Sequence, residues 1–336
     1  MNLNTPSVNT LDANKTPEQL SVERNQRILD ALVLKQPDRI PVILFAGYLL
    51  SQMGGITRQE QHENPAKAQE LLEKAAEYLQ PDSVIGLLNQ PGPAVALGDR
   101  MTKFPGNGLG PDGSFQFVEG EYMKPEDYDA FIDDPADWAL RKYWPRVFPE
   151  AAGLALLPPL GMAAFGTYSL FDIGVLAAPP VVAAFKAIAK AGEAAAAVDA
   201  NAIASMQRMM QLGFAPTPFP PTIVEAPFDL MSDTLRGMRG IFLDVHRRPE
   251  KLLAAEEKVR RFEVEFAIQW CNMIGLKRVF IPLHRGSDGF MSLAQFEKFY
   301  WPQLRDLMLD LIAADITPFV FYEGVWDQRL KYLAEL

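Results

Sequence analysis

Apolar and polar residues between Lys277 and Gly324 follow a strand, helix, strand order. Val279 to Leu283 form a short apolar run that contains Pro282, as expected of a buried strand that ends at a sheet edge. Ser292 suits a helix N-cap, and the apolar residues after it recur at helical spacing: Phe296, Phe299, Tyr300, Leu304, Leu307 and Leu311. Thr317 to Tyr322 form a second strand pattern. The stretch therefore predicts one parallel α/β unit.

Further elements are predicted before this unit. Strands are predicted at Pro41 to Ala46 and Ser83 to Leu88, a hairpin within residues 101–124, and helices at Ser21 to Leu34, Pro65 to Leu79 and Pro180 to Leu212. The apolar face of the first helix is predicted to be Val22, Ile28, Leu29, Leu32 and Val33. Residues 1–20 are rich in Asn, Thr and Pro and predict a mobile tail.

Polar residues come directly after each of the two strands predicted between Lys277 and Gly324. His284, Arg285 and Asp288 come after the first strand, and Glu323 comes after the second. The carboxyl ends of parallel strands meet at one edge of a sheet, where α/β folds place their chemistry. We therefore expect a site there. The alternative for His284 and Arg285 is a hydrogen-bonded pair at the edge that takes no part in chemistry.

Other candidate residues lie on loops. Asn89 follows the strand predicted from Ser83, and Tyr168 could donate a hydrogen bond to a substrate or simply pack. Arg236 and Arg239 follow Asp229 and could bind an anionic ligand, although a surface ion-pair cluster explains them equally well. The acidic residues from Glu119 to Asp134 predict a solvated surface.

Charge and cysteine content narrow the possible partners. A formal net charge of -10 argues against nucleic acid and anionic membranes as partners, because both carry negative charge. The single cysteine, Cys271, excludes an internal disulfide, has apolar neighbours that predict a buried thiol, and fits a cytoplasmic location. The expected ligand is a small-molecule substrate, and a homodimer is a candidate assembly.

The α/β unit from Lys277 to Gly324 resembles the uroporphyrinogen decarboxylase family. The resemblance rests on the helix that begins at Met291-Ser292, on Phe296, Phe299 and Pro302 in a Phe-x-x-Phe-x-x-Pro pattern, and on Glu323-Gly324 at a strand end. It extends from about Ser21 to the last residue and includes the segment from Asp38 to Val42. The family implies a single (β/α)8 TIM barrel over residues 21–336, with porphyrinogen decarboxylase or corrinoid-linked methyltransferase activity.

The resemblance also implies that the barrel is truncated at the C-terminus. The family normally continues through further strand and helix units after the position of Gly324, whereas this chain stops at Leu336. We therefore expect the last strands to be missing. The alternative is a shorter barrel in which the strands are assigned differently.

Departures from the family pattern separate the two reactions. The decarboxylases hold carboxylates with an arginine-rich segment, but no arginine occurs from Pro41 to Thr57, and Asn89 stands where they have Asp. The methyltransferases bind zinc through a His-x-Cys segment, for which this chain has Phe321 and Glu323. The sequence has only three histidines, His62, His246 and His284, which is few for a metal site, and the first two are expected to be surface or capping residues.

These observations favour a divergent methyltransferase that transfers a one-carbon group with a corrinoid protein. Glu323 and His284 would orient the substrate or ligate a zinc ion, Asn89 would line the pocket, and Arg285 or Arg236 would take an anionic group. Decarboxylation of a porphyrinogen or another carboxylated substrate is the first alternative. A ligand-binding barrel without chemistry is the second.

Overall fold

The protein is described by a computed structural model for residues 14–86, 90–159, 173–219 and 222–336. The fold is mixed α/β and mostly helical, with seven short strands in these ranges. Contacts divide the chain into two compact units. Unit 1 comprises Met1–Val118 and Ala183–Pro218, and unit 2 comprises Glu119–Val182 and Phe219–Leu336.

Unit 1 is built around two short parallel strands. β1 (Ile43–Phe45) pairs with β2 (Ser83–Ile85), and Ser83 also bridges Ala215 in parallel. The first five helices are α1 (Pro17–Leu32), α2 (Leu49–Gly54), α3 (Arg58–Glu63), α4 (Pro65–Leu79) and α5 (Gly92–Leu97). β3 (Thr102–Pro105) pairs with β4 (Gly108–Leu109) and is antiparallel to β5 (Gln116–Phe117). The predicted hairpin and the helix over 65–79 are confirmed.

The face predicted for the first helix is largely wrong. Ile28 is buried, but Val22 is 70% exposed and Val33 is 62% exposed. Arg24 and Arg27 take the buried positions instead, and Arg27 donates to Asp38 at 2.6 Å and to the fully buried Asp82. A periodic apolar pattern does not anticipate arginines that are buried because carboxylates and carbonyls pair with them. The helix also begins at Pro17, inside the predicted tail.

Unit 2 contains the longest parallel strand pair among the described residues. β6 (Arg278–Leu283) and β7 (Thr317–Tyr322) pair residue by residue, from Arg278 with Thr317 to Leu283 with Tyr322. Ile223 forms a parallel bridge to Phe280 on the other side of β6. Both predicted strands are therefore confirmed. The eight-stranded barrel stays a prediction, because these ranges show only sheets of two and three strands.

The remaining helices follow in chain order. They are α6 (Tyr128–Asp133), α7 (Pro135–Trp138), α8 (Trp144–Val147), α9 (Pro179–Gln211, in unit 1 from Ala183), α10 (Pro227–Leu230), α11 (Gly237–Arg247), α12 (Pro249–Ile274), α13 (Leu293–Gln295) and α14 (Trp301–Ala313). 3-10 turns span Pro125–Asp127, Pro149–Leu156, Ile173–Ala177 and Leu330–Glu335, and π turns span Ala139–Tyr143, Met231–Arg236 and Phe296–Tyr300. In the described ranges, no helix is both long and apolar enough to cross a membrane.

The core of unit 2 lies between β6 and the helices α12 and α14. Its fully buried side chains include Val279, Ile281 and Leu283 from β6, Leu252 and Val259 from α12, and Leu307 and Leu311 from α14. Ser292 caps α13 as predicted, since its hydroxyl accepts from the Gln295 N–H. Cys271 is buried in the same core, also as predicted.

The acidic residues of the run from Glu119 to Asp134 are exposed as predicted except at Asp127, and His62 is buried as well. Asp127 of the acidic run is 2% exposed and forms an ion pair with Arg146 in unit 2. His62 in unit 1 is 7% exposed, and its Nε2 lies 2.9 Å from the Tyr48 hydroxyl. Asp127 is the exception within the predicted surface, because Arg146 pairs with it. The expectation for His62 is wrong, because its side chain packs inside unit 1 with Tyr48 as a partner.

Candidate active site

The ends of β6 and β7 bring His284 close to Glu323. His284 follows Leu283 directly and Glu323 follows Tyr322, and these two strand residues are paired neighbours. The Glu323 N–H donates to the Leu283 carbonyl at 3.3 Å, which continues the pairing beyond the strand. His284 Nε2 and Glu323 Oε1 are 3.8 Å apart, and both side chains are partly exposed to solvent. The two predicted site residues therefore face each other.

Asp233 completes this arrangement on the inner side of the imidazole. His284 Nδ1 lies 2.6 Å from Asp233 Oδ2. The other oxygen, Oδ1, accepts from the Ser232 hydroxyl at 2.7 Å and from Arg285 Nε at 2.9 Å. Asp233 lies in the π turn Met231–Arg236, a rare conformation that is often found at functional sites. The carboxylate thus fixes the orientation of the ring and accepts a hydrogen bond from Nδ1–H.

The charges on the dyad of His284 and Asp233 follow from these contacts. The hydrogen bond to Asp233 raises the pKa of His284 to about 9, although burial acts in the opposite direction. Burial alone would raise the pKa of Asp233, but the hydrogen bond from His284 and the positive charge of Arg285 outweigh it and lower that pKa. At neutral pH the pair is therefore an imidazolium beside a carboxylate. Nε2 then also carries a proton, and it lies 3.8 Å from Glu323 Oε1.

Asp229 anchors the backbone that carries His284. It is fully buried at the end of α10, and its two oxygens accept the backbone N–H groups of His284 and Arg285, each at 2.9 Å. The Tyr300 hydroxyl also donates to Asp229, at 2.6 Å. Burial raises the pKa of Asp229 to about 6, even though these hydrogen bonds favour its ionised form. The first residues after β6 are consequently held in one position.

Arg285 is engaged within the same cluster. Its NH2 group lies 2.9 Å from Asp233 Oδ1 and 2.6 Å from Glu119 Oε1, and its side chain is 15% exposed. This guanidinium forms ion pairs with both Asp233 and Glu119. Arg285 therefore helps to position Asp233 and, through it, His284.

Asp288 and Arg329 connect the loops that follow the two strands. The Asp288 N–H donates to the Val325 carbonyl at 2.8 Å, and Asp288 Oδ2 accepts from the Gln328 N–H at 3.3 Å. Arg329 donates to the carbonyls of Gly286 and Met291. These contacts tie the loop that carries His284 to the loop that carries Glu323.

Three further carboxyl groups lie in the interior near Asp229. Glu256 and Glu263 on α12 are 0% and 6% exposed, and Glu225 follows the bridge residue Ile223. Glu263 Oε1 accepts the Glu225 N–H at 2.8 Å, whereas no hydrogen-bond partner within the described residues reaches Glu263 Oε2 or either oxygen of Glu256. Burial raises the pKa of Glu225 to about 7 and places those of Glu256 and Glu263 well above their usual range. These groups favour their protonated forms.

The other predicted site residues are placed elsewhere or fall outside the described ranges. Asn89 and Tyr168 belong to the stretches that the structure does not describe. Arg236 is 2% exposed, and it donates to Asp244 at 2.6 Å and to the Met123 carbonyl at 2.5 Å. Arg239 lies exposed on α11. His284, Arg285 and Glu323 converge, whereas Arg236 is engaged in a buried ion pair.

The residues at this site do not fit a zinc ion held by protein ligands alone. Structural zinc sites have four protein ligands and catalytic sites have three. His284 and Glu323 provide two candidate ligands, and the described ranges contain no group of three histidine, cysteine or acidic side chains arranged to hold a metal. His284 also carries a proton on each ring nitrogen when it is an imidazolium, and a protonated nitrogen cannot ligate.

Comparisons with known proteins leave the family open. No protein family matches the sequence, and no curated protein matches it. Among solved structures, a methyltransferase from Methanosarcina mazei matches with a TM-score of 0.45 and 16% sequence identity, covering 90% of this chain and 70% of that chain. A match at this level identifies neither family nor reaction, so the resemblance to the uroporphyrinogen decarboxylase family stays a prediction.

The sequence analysis missed most of the residues that support His284. Asp233 contacts the His284 ring from a position 51 residues away in the chain, and Tyr300 acts through Asp229; neither carries a sequence signal for its contact. Glu256 and Glu263 do carry a signal, because they fall on the buried stripe of α12 together with Leu252, Val259 and Cys271. An acidic residue at such a position indicates a buried carboxyl group.

Proposed function

We propose that this chain is an enzyme whose reaction centre consists of His284, Asp233 and Glu323. The observation that carries the proposal is the 2.6 Å contact between His284 Nδ1 and Asp233 Oδ2, with Nε2 directed to the partly exposed side. An imidazole held by a carboxylate in this way is suited to general acid–base chemistry. Asp229, Tyr300 and Arg285 hold the pair in place, so little reorganisation is required before reaction.

The two ends of the centre have complementary chemistry. The His284 imidazolium donates its Nε2 proton to a leaving group, and the Glu323 carboxylate accepts a proton from an attacking group or orients the substrate. With Nε2 and Oε1 3.8 Å apart and both side chains partly exposed, one small substrate can contact both groups from the solvent side. Positioned proton transfer of this kind contributes about 10²–10⁴-fold to rate.

The specific reaction that we propose is transfer of a methyl group to the nucleophile of a corrinoid protein. The bond between the methyl carbon and a substrate heteroatom breaks, and a bond from that carbon to the nucleophile forms. The electron pair left on the heteroatom takes the Nε2 proton of His284, which leaves a neutral imidazole. Support for this reaction comes from the sequence resemblance at residues 291–302 and 323–324 and from the proton donor at the strand ends.

Decarboxylation of a carboxylated substrate is the second candidate. The observation in its favour is the positive charge of His284, which would attract a substrate carboxylate. After loss of carbon dioxide, the electron pair on carbon would take the Nε2 proton. The absence of arginine from Pro41 to Thr57 argues against a substrate with as many carboxylates as a porphyrinogen.

A paired activity assay with three variants tests the proposal. Methyl transfer from methylated amines, thiols and ethers to a free corrinoid would be followed by absorbance, and porphyrinogen decarboxylation by product analysis. His284→Ala and Glu323→Gln should lower turnover at least 100-fold, whereas His246→Ala, at an exposed histidine on α11, should leave it unchanged. Full activity in His284→Ala would contradict the assignment of the centre, whichever reaction is observed.

A further inference from the structure

Unit 1 contains an open surface cavity of about 330 Å³ that the proposed chemistry does not use. Three phenylalanines from the β3 and β5 region, Phe104, Phe115 and Phe117, form one wall, and Ala195 and Val198 of α9 form another. The volume lies at the lower end of the range for small-molecule sites. The cavity is therefore large enough for a ligand of a few heavy atoms.

The phenyl rings form a continuous aromatic wall. The ring centroids of Phe104 and Phe115 are 4.9 Å apart, and those of Phe115 and Phe117 are 4.8 Å apart at an interplanar angle of 82°. Phe104 is 3% exposed, whereas Phe117 is 73% exposed, so the wall extends from the interior to the surface. A phenyl face that borders the cavity attracts a cation that lies within about 6 Å of the ring centroid.

Two carboxylates contribute to the lining of the same cavity. Asp99 is fixed by its loop, because its oxygens accept the Met101 N–H at 2.8 Å and the Thr102 hydroxyl. Asp199 lies exposed on α9, on the same helical face as Ala195 and Val198. As far as the described residues go, the lining includes no lysine or arginine. The cavity is therefore negatively charged as well as aromatic.

We propose that this cavity binds a small organic ammonium ion, such as a quaternary trimethylammonium compound. Phenyl faces and nearby carboxylates together select a cation with an apolar surface. A bare metal ion is disfavoured, since it requires several converging oxygen or nitrogen ligands, and no group of three suitable side chains exists in the described ranges. An anion is also disfavoured, because the carboxylates of Asp99 and Asp199 would repel it. The proposal is independent of the chemistry assigned to His284.

Calorimetric titration with choline and with its neutral isostere 3,3-dimethylbutan-1-ol tests this site. The two ligands share shape and differ in charge, so cation recognition predicts saturable binding of choline at least tenfold tighter than that of the alcohol. Equal affinity for the two would overturn the proposal, because it would indicate a purely apolar cavity. Absence of choline binding at millimolar concentration would also overturn it.

Variants of the lining assign the binding to this cavity. Phe115→Leu keeps an apolar side chain but removes a ring face, and Asp199→Asn removes charge at an exposed position where folding is not at risk. Each should weaken choline binding about tenfold. Glu193→Gln removes an exposed charge from the same helix outside the cavity and should leave the affinity unchanged. Unaltered binding in Asp199→Asn together with Phe115→Leu would place the ligand elsewhere and contradict the proposal.

Discussion

The imidazole Nδ1 of His284 lies 2.6 Å from Asp233 Oδ2, although 51 residues separate the two in the chain. Arg285, the neighbour of His284, donates to the other oxygen of the same carboxylate at 2.9 Å. One aspartate thus orients two consecutive residues at the end of β6. Its negative charge favours the protonated imidazole, which makes His284 an acid over the whole neutral range.

The first prediction concerns the pH dependence of turnover. An acid with a pKa of about 9 remains protonated at neutral pH, so activity that requires it should decline only as pH rises through about 9. Asp233→Asn removes the charge that raises this pKa, and the alkaline decline should move toward the ordinary histidine value of about 6.5. Rates measured from pH 6 to 10 in both proteins check this. An alkaline limb at the same pH in the variant would contradict the role of Asp233.

The second prediction concerns stability and the buried Glu256. Burial raises its folded-state pKa above the unfolded value of about 4.3, so the folded protein binds more protons between these two values. Its contribution to stability is therefore present below about pH 4.3 and is lost as pH rises toward the folded-state value. Glutamine does not ionise, so Glu256→Gln should remove the loss of stability that occurs as pH rises. The variant should match the parent protein near pH 4.5 and have a higher unfolding free energy than the parent at pH 8.

Urea unfolding at the two pH values measures this difference. Glu257→Gln is the matched control, because the neighbouring Glu257 side chain is 45% exposed and pairs with Arg261 on the surface. Its effect should remain within about 0.5 kcal/mol at both pH values. A stability difference for Glu256→Gln that does not change with pH would show that Glu256 is ionised in the folded protein.

The third prediction concerns the close approach at Gly286. A Cβ atom there would lie 2.4 Å from ring atoms of both Trp326 and Tyr300, and neither ring can move freely inside the core. Gly286→Ala should therefore cost about 1–3 kcal/mol of unfolding free energy. Gly289→Ala places its methyl group in open space and should change stability by less than about 0.5 kcal/mol. Equal thermal unfolding of the two variants would contradict the packing described around Tyr300.

The fourth prediction concerns Arg329, which is 5% exposed. Its guanidinium donates to the carbonyls of Gly286 and Met291 and lies 4.8 Å from the Phe296 ring centroid. A lysine ammonium cannot reproduce this planar arrangement, so Arg329→Lys should destabilise the protein by roughly 1–3 kcal/mol. Arg305→Lys, at a surface pair with Asp306, should cost less than about 0.5 kcal/mol. Urea unfolding measures both variants. Equal losses of unfolding free energy in Arg329→Lys and Arg305→Lys would contradict the role of Arg329 in joining the loops after β6 and β7.

Local patterns were sufficient to predict the elements around the site. The apolar run of β6, the strand Thr317–Tyr322 and the cap at Ser292 depend on neighbouring residues, and all three occur as predicted. The convergence of His284 with Glu323 follows from the parallel pairing of their strands. Contacts across long sequence separations could not be predicted in this way. Asp233 and Asp229 reach His284 and Arg285, and Tyr300 reaches Asp229, only through the tertiary structure.

Burial of charged groups was the other feature that the patterns did not reveal. Arg27, Arg236 and Asp127 are each less than 6% exposed, because carboxylates or carbonyls pair with them inside the protein. A polar residue in a periodic pattern is normally assigned to the surface. The pairing that permits burial depends on tertiary structure and has no counterpart in local sequence.

Titration of the His284 imidazole by NMR tests the central claim most directly. With histidines labelled in the ring, three signals are expected, from His62, His246 and His284, and His284→Gln assigns the third. The account predicts that this signal titrates with a pKa of about 9 and moves toward about 6.5 in Asp233→Asn. A pKa near 6.5 in both proteins would show that Asp233 does not charge His284, and the proposed proton donor would be wrong.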